Sequence, residues 1–216
     1  MTDEFERANA SPPLRSAIPL WPVALFLALG SFAFLIDLPV ALWFKHYLLP
    51  GILRDLIEMS EAFAHGASVA VILAGFYILD RSNRKHLLRL IIMAYGSGLI
   101  TDLLKLTVER IRPRDFSFAG DVWTTFQGWL PLLTHTGRQS FPSSHAGVAV
   151  GLAMGLAVVY PRARWYFATL AVLACLQRLQ CGAHYPSDVL FAAAVTWAFC
   201  WWLHRYGMPM QRVPTA

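Results

Sequence analysis

Lys105, Arg112, His145, Arg178, His184 and Asp188 are the residues of this chain whose types and spacing add up to a reaction. They fall in three short polar stretches beside apolar spans: Lys105 with Arg112-Pro113, then Pro142-Ser143-Ser144-His145, then Arg178 with His184 and Asp188. Ionisable groups next to membrane-type segments are costly, so a cluster of them is a functional site by default. The inventory suits phosphoryl transfer. Three cations can hold phosphate oxygens, one histidine can attack, another can protonate the leaving oxygen, and a carboxylate can orient the attacker.

Each stretch also has a local geometry. Lys105 and Arg112 lie seven residues apart, close to two helical turns, and can face the same way. Pro113 disfavours helix at Arg112 and should end or bend the segment there. A guanidinium grips phosphate oxygens in a plane, whereas Lys adds a mobile point charge. In the second stretch Pro142 and the serines favour a helix start, whose free N–H groups make an anion site. Ser143 and Ser144 are therefore candidate phosphate contacts, and Ser144 can offer a hydroxyl donor. His145 stands where a proton can be given to a leaving oxygen. Arg178, at the outer end of an apolar span, supplies the third cation. His184 and Asp188 are four residues apart, so the carboxylate can bond one imidazole nitrogen and leave the other free. Alone, a cation at a span end would simply snorkel to lipid headgroups; three stretches in company favour a site. Metal ligation by His135, His145, His184 and Asp188 is disfavoured, because three neighbouring cations would repel a divalent ion. No metal and no cofactor is implied.

The order Lys105-x6-Arg112-Pro113, then PSSH at 142–145, then Arg178-x5-His184-x3-Asp188 resembles the three-part signature of the type 2 phosphatidic acid phosphatase superfamily. The resemblance spans roughly 85–190. It implies that His184 is the nucleophile forming a phosphohistidine, and that His145 is the acid and then the base that activates water. Two positions depart from the commonest form of the signature: PSGH reads PSSH here, and the Ser that usually precedes the third-block Arg is Gln177. Neither removes a reacting group, though both touch phosphate contacts. The soluble haloperoxidases of the same superfamily share the anion pocket, but this chain is too apolar to be one of them.

Hydrophobic residues make up 56% of the 216 and charged ones 14%, which excludes an ordinary soluble core. Spans of about 20 residues are expected near 22–43, 62–79, 87–104, 144–160, 165–181 and 187–204. The expected fold is all-α, a six-helix transmembrane bundle with the active site at the outer membrane–water boundary. The first span follows a tail with balanced charge and is too long for a signal core, so it reads as a retained helix. Residues 1–20 read as a flexible cytoplasmic tail, 21–205 as the six-span domain, and 206–216 as a C-terminal tail. Ten basic residues, Arg89 among them, fall on the side of the N-tail, the 80–86 loop, the 161–164 turn and the C-tail. Lys45, Arg54, Arg110, Arg114 and Arg138 are left for the other side once the three site cations are set aside. The bias places both termini in the cytoplasm and the site outside, periplasmic if the membrane is a bacterial inner membrane.

The net charge of +5 is no nucleic-acid footprint, since no basic run is interleaved with aromatics. Residues 114–141, carrying Trp123, Phe126, Trp129, Leu130, Leu132 and Leu133, are too apolar for a free loop. They read as an amphipathic segment in the interface, either a wall of the lipid entry or an anchor. Trp43, Trp165, Trp201 and Trp202 fall at span ends as headgroup anchors. Gly147, Gly151 and Gly155 share one helix face and should allow close packing within the bundle. Cys175, Cys181 and Cys200 read as small packing residues. Asp102 should pair with Lys105, while Asp37 and His65 read as satisfied bundle polar groups or, second, as pocket lining.

The expected function is hydrolysis of a phosphate or pyrophosphate monoester of a membrane lipid: phosphatidic acid, phosphatidylglycerol phosphate, undecaprenyl pyrophosphate or lipid A. The partners are that lipid and the bilayer, with no obligate protein partner evident. Two alternatives stand beside it, a phosphotransferase passing the group to another acceptor and a non-catalytic lipid-binding or transport protein. The His184–Asp188 pair with His145 disfavours the latter, which needs cations but no oriented nucleophile.

Overall fold

The computed structural model describes residues 18–47, 49–130 and 139–207. The chain is mostly helical, with eight helices among the described residues: α1 (Trp21–Ala33), α2 (Asp37–His46), α3 (Gly51–Met59), α4 (Gly66–Leu79), α5 (Arg84–Lys105), α6 (Ser144–Val159), α7 (Arg164–Gln180) and α8 (Pro186–Gly207). Two of them, α5 and α8, are long and apolar enough to cross a membrane by themselves.

Two expected spans are bent. The 22–43 stretch breaks into α1 and α2 at 69°, and α4 follows a Gly51–Phe63 helix at 72°. If each bent pair is one span the candidates number four, against the six expected. The first break has a local cause. In a continuous helix Pro39 would lack an N–H for the Leu35 carbonyl and would clash with it. The chain instead closes tight turns from Leu35 to Phe32 and Ile36 to Ala33, then restarts with Pro39 in the first turn. The second break falls at Ala64-His65, just before Gly66.

The core is built from α4, α5, α6 and α7, where Val69, Leu73, Leu90, Ala149, Leu152 and Ala174 form one buried cluster. The glycines of α6 face α5, as their spacing predicts. A Cβ on Gly151 would lie 2.0 Å from the Met93 carbonyl oxygen, and one on Gly147 would lie 2.9 Å from Thr101 Oγ1. Met93 sits in a π-turn (Ile92–Gly96) that widens α5 at that level, with Ser97 Oγ donating to its carbonyl at 2.6 Å. A widened turn beside a side-chain-free face lets the two backbones meet, the packing favoured where lipid supplies no hydrophobic drive. On the other side, α1 lies along α8, where Gly30 makes room for Phe191.

The 114–141 segment is not purely irregular, and the fold is not purely helical. Its residues Phe126–Trp129 (β2) pair antiparallel with Val108–Arg110 (β1), with a bulge between Glu109 and Arg110. Asp121 caps the short Val122–Thr125 turn by accepting from the Trp123 N–H at 3.0 Å. Phe126 and Trp129 stack with their planes 8° apart. Leu132, Leu133, His135 and Arg138 lie outside the described residues, as do Arg7, Arg15 and Arg212. Trp43, Trp165 and Trp202 are exposed, consistent with anchors. Cys200 is buried and Cys175 half-buried, but Cys181 is exposed and touches Arg178, so it is no packing residue.

Candidate active site

The three stretches converge through backbone contacts between their loops. The Ser143 N–H donates to the Asp188 carbonyl at 3.2 Å, tying the start of α6 to the start of α8. The Arg114 N–H donates to the Gly182 carbonyl at 3.0 Å, tying the Arg112-Pro113 turn to the end of α7. Gly182 has φ +63°, a left-handed conformation that suits glycine, and a Cβ there would press on Arg114 at 3.2 Å. A third tie runs from the Ser140 N–H to the Arg110 carbonyl at 2.9 Å.

On this frame Lys105 ends α5 and pairs with Asp102 at 3.3 Å, the pairing expected from their spacing. Arg112 is extended, as Pro113 demands, and half-buried. Ser143 is the N-cap of α6, its Oγ accepting from the Ala146 N–H at 3.3 Å. Ser144 corrects one expectation. Its hydroxyl donates to Asp102, so that proton is committed to a carboxylate and not offered to a phosphate. His145 stands in the first turn of α6, within electrostatic reach of Lys105, Arg178 and His184, and its ring lies 6.4 Å from that of His65. His65 is thus an exposed neighbour of the site, whereas Asp37 is a fully buried, satisfied group.

Arg178 closes α7 with Nη2 3.0 Å from Glu61, a carboxylate contributed by the turn after α3. Among the described residues, the buried Nε atoms of both Arg112 and Arg178 have no hydrogen-bond partner. Buried donors of this kind are rare and mark places where an acceptor belongs. Two such guanidinium edges, beside a lysine and a 16-residue helix's N-terminus, form a cradle for an oxyanion.

His184 occupies the loop before α8, only 4% exposed. Its orientation differs from the expected direct carboxylate bond. Nδ1 lies 2.7 Å from the Ser140 carbonyl oxygen, to which it donates, and 3.7 Å from Asp188 Oδ2. The carboxylate is held instead by Ser140 Oγ at 2.6 Å and the Tyr185 N–H at 2.8 Å on Oδ2, with Arg110 on Oδ1. Facing a carbonyl oxygen, Nδ1 carries the proton, and among the described residues nothing hydrogen-bonds to Nε2. Burial above all, with the Lys105 and Arg112 charges, pushes this imidazole below its ordinary range against the opposing influence of Asp188. Nε2 therefore keeps its lone pair to lower pH than an exposed histidine would.

Arg110 and Ser140 are the residues that sequence reasoning missed. By its place in the sequence Arg110 is an outer-side loop cation, yet it is fully buried at the centre of the polar network. The signal was available: in V-E-R-I-R-P two arginines two apart lie on one side of an extended chain. Ser140 sits in a loop and carries no such signal.

The PAP2 superfamily profile matches residues 86–211, more than half of the chain. The chain belongs to the PAP2 superfamily. It is 31% identical over 203 residues to a protein named lipid A 1-phosphatase from Rhizobium etli, covering 85% of this chain and 81% of that one. It is 27% identical over 144 residues to an undecaprenyl-diphosphatase from Bacillus subtilis, covering 67% and 69%. Among solved structures, the transmembrane PAP2-type phosphatidylglycerolphosphate phosphatase of Bacillus subtilis shares the fold, with a TM-score of 0.57 at 18% identity over 88% of this chain and 98% of that one. With its apolar helices, this PAP2 protein is an integral membrane protein.

Proposed function

We propose that this lipid phosphate hydrolase removes a phosphate from a membrane lipid through a phosphohistidine on His184. The observation that carries the reading is the pairing of an oriented imidazole with the cradle: among the described residues Nε2 of His184 is free while Nδ1 is fixed by Ser140, beside two guanidinium Nε atoms without partners. Nε2 attacks phosphorus in line as the P–O bond to the lipid breaks, and the leaving oxygen takes a proton from His145. Lys105, Arg112 and Arg178 balance the charge that gathers on the equatorial oxygens. Water, losing its proton to His145, then cleaves the P–N bond and frees phosphate. Ser143 supports the site by capping α6, so that the N–H groups of its first turn face the anion.

The substrate pool follows from the basic-residue bias. Cytoplasmic termini would put the site at the outer boundary of a bacterial inner membrane, facing the periplasm, with the β1–β2 ribbon and its aromatic face beside the lipid. A six-span topology further requires α6, of 16 residues, and α7 to cross as short spans. The relatives' substrates make lipid A and undecaprenyl diphosphate the first to test.

The test is phosphate release by purified protein in detergent with EDTA present, across lipid monophosphates and diphosphates, followed by rapid alkaline quench with ³²P-labelled substrate. Release from at least one lipid, with label recovered on His184, is expected. Label on another residue, or an absolute need for a divalent metal, overturns the mechanism.

A further inference from the structure

Arg110 is the largest fully buried side chain among the described residues, and the reaction outlined above gives it no part. Its environment is unusual for a cation. Nη1 donates to Asp188 Oδ1 and, at 2.8 Å, to Ser187 Oγ. Nη2 donates to Asp37 Oδ2 at 2.7 Å, and Nε donates to Thr125 Oγ1 at 3.0 Å. Phe126 and Tyr185 lie over the guanidinium at 4.7 and 4.1 Å, and Phe34 is 5.5 Å away. Both carboxylates are fully buried as well. The side chain thus gathers α2, β1, the turn before β2 and α8, which are distant in sequence, onto one planar fork. Burying an unpaired charge costs several kcal/mol per ion, so a guanidinium shared by two carboxylates is a committed arrangement. Lysine, a single point charge without a fork, would not reproduce it.

The consequence falls on Asp188. Oδ1 is taken by Arg110, and Oδ2 accepts from Ser140 Oγ and the Tyr185 N–H. With both oxygens occupied, the carboxylate does not turn to His184, and Nδ1 reaches the Ser140 carbonyl instead. Asp188 therefore acts on the imidazole through its charge at 3.7 Å and through Ser140. How much negative charge the imidazole feels depends on how Arg110 is divided between Asp188 and Asp37.

We propose that Arg110 is a positioning residue: shared between Asp37 and Asp188, it fixes the catalytic carboxylate and sets the field in which His184 is free to attack. The inference rests on the reading of His184 as nucleophile. Other charges face that ring: Lys105 at the end of α5, Arg112 after β1 and His145 at the start of α6, the last with Arg178 beside it, itself bonded to Glu61. None of these is altered by changes at Arg110 or Asp37, so the direction of the response is fixed by the pair.

The test compares Arg110→Gln, Arg110→Lys and Asp37→Asn for folding, kcat, KM and the acid limb of kcat/KM. Removing the cation leaves two carboxylates unopposed, favours the imidazolium, and should move the acid limb up by about one pH unit. Asp37→Asn gives Arg110 wholly to Asp188 and should move the limb down by about half a unit. Arg110→Lys keeps the charge but not the fork, so kcat should fall by about tenfold or more with KM within about threefold. Opposite shifts support the proposal, because a merely structural residue would move neither limb. Shifts in the same direction, or unmoved limbs in folded variants, overturn it. If Arg110→Gln does not fold, Asp37→Asn decides alone: a downward shift supports the proposal and an unmoved limb overturns it. Quench-labelling of the same variants keeps the two ideas apart. Label on His184 without a limb shift sinks only the role of Arg110, whereas label elsewhere sinks the nucleophile.

Discussion

Helices α1 and α6 are both apolar, yet they do opposite work. Of the 13 residues of α1, Pro22, Gly30 and Ala33 are buried, while Trp21, Leu25, Leu27, Leu29 and Phe32 face outward. Of the 16 residues of α6, eleven are buried, nearly all of them Ala, Gly, Val, Leu or Met. Neither helix shows a strong apolar stripe, so the distinction is not one of amphipathicity. It is one of size. The outer helix carries large side chains suited to lipid, and the inner one carries small side chains that let neighbouring backbones close in. The candidate acid His145 rides on the inner helix. Precision at the site should therefore be sensitive to atoms added inside and indifferent to atoms removed outside.

Three substitutions sharpen that contrast, beginning with the chemistry itself. His184→Ala should lower kcat by about 10⁴-fold or more while the protein inserts and elutes normally from a sizing column in detergent. Residual activity near that of the parent would detach the inner site from the reaction altogether. Gly151→Val should come next. A Cβ at that position already meets the Met93 oxygen at 2.0 Å, so α6 must move from α5, with a loss of about 3 kcal/mol and of activity, read by thermal unfolding in detergent. An unchanged unfolding temperature would show that the inner contact is softer than its geometry. Leu25→Ala on the outer helix, where the side chain is 43% exposed, should stay within about 0.5 kcal/mol of the parent and leave turnover unaltered. A large loss there would make the outer helix part of the packed core and erase the contrast.

Much of the candidate site was legible in the sequence because its groups are ionisable and sit beside apolar spans, where few other reasons for charge exist. The three stretches meet as their order implied, Asp102 takes Lys105 at the expected spacing, and the glycine face of α6 turns inward. What escaped notice depends on tertiary partners. Arg110 looks like any loop cation until α2 and α8 deliver carboxylates to both sides of it. Ser140 meets His184 through a carbonyl that every residue type possesses, and its hydroxyl finds Asp188 only once the loop is folded against α8. The Ser144 hydroxyl finds Asp102 only because α5 and α6 approach so closely. The broken helices were hidden by averaging: hydropathy over 22–43 does not register that Pro39 and the Leu35 carbonyl cannot share a turn. Short strands of three and four residues leave no period long enough to read.

The carboxylate of Glu61 resting on Arg178 has a consequence for long-range attraction. Lys105, Arg112 and Arg178 would together draw anions from well beyond contact distance, but Asp102 and Glu61 sit directly against two of the three. Seen from a Debye length away, the mouth of the site carries the pull of about a single positive charge. Only a group that enters the cradle meets the unpartnered guanidinium edges individually. Recognition is thereby shifted from attraction at a distance to fit at contact, and a phosphate released from its lipid leaves a mouth with little charge to hold it back.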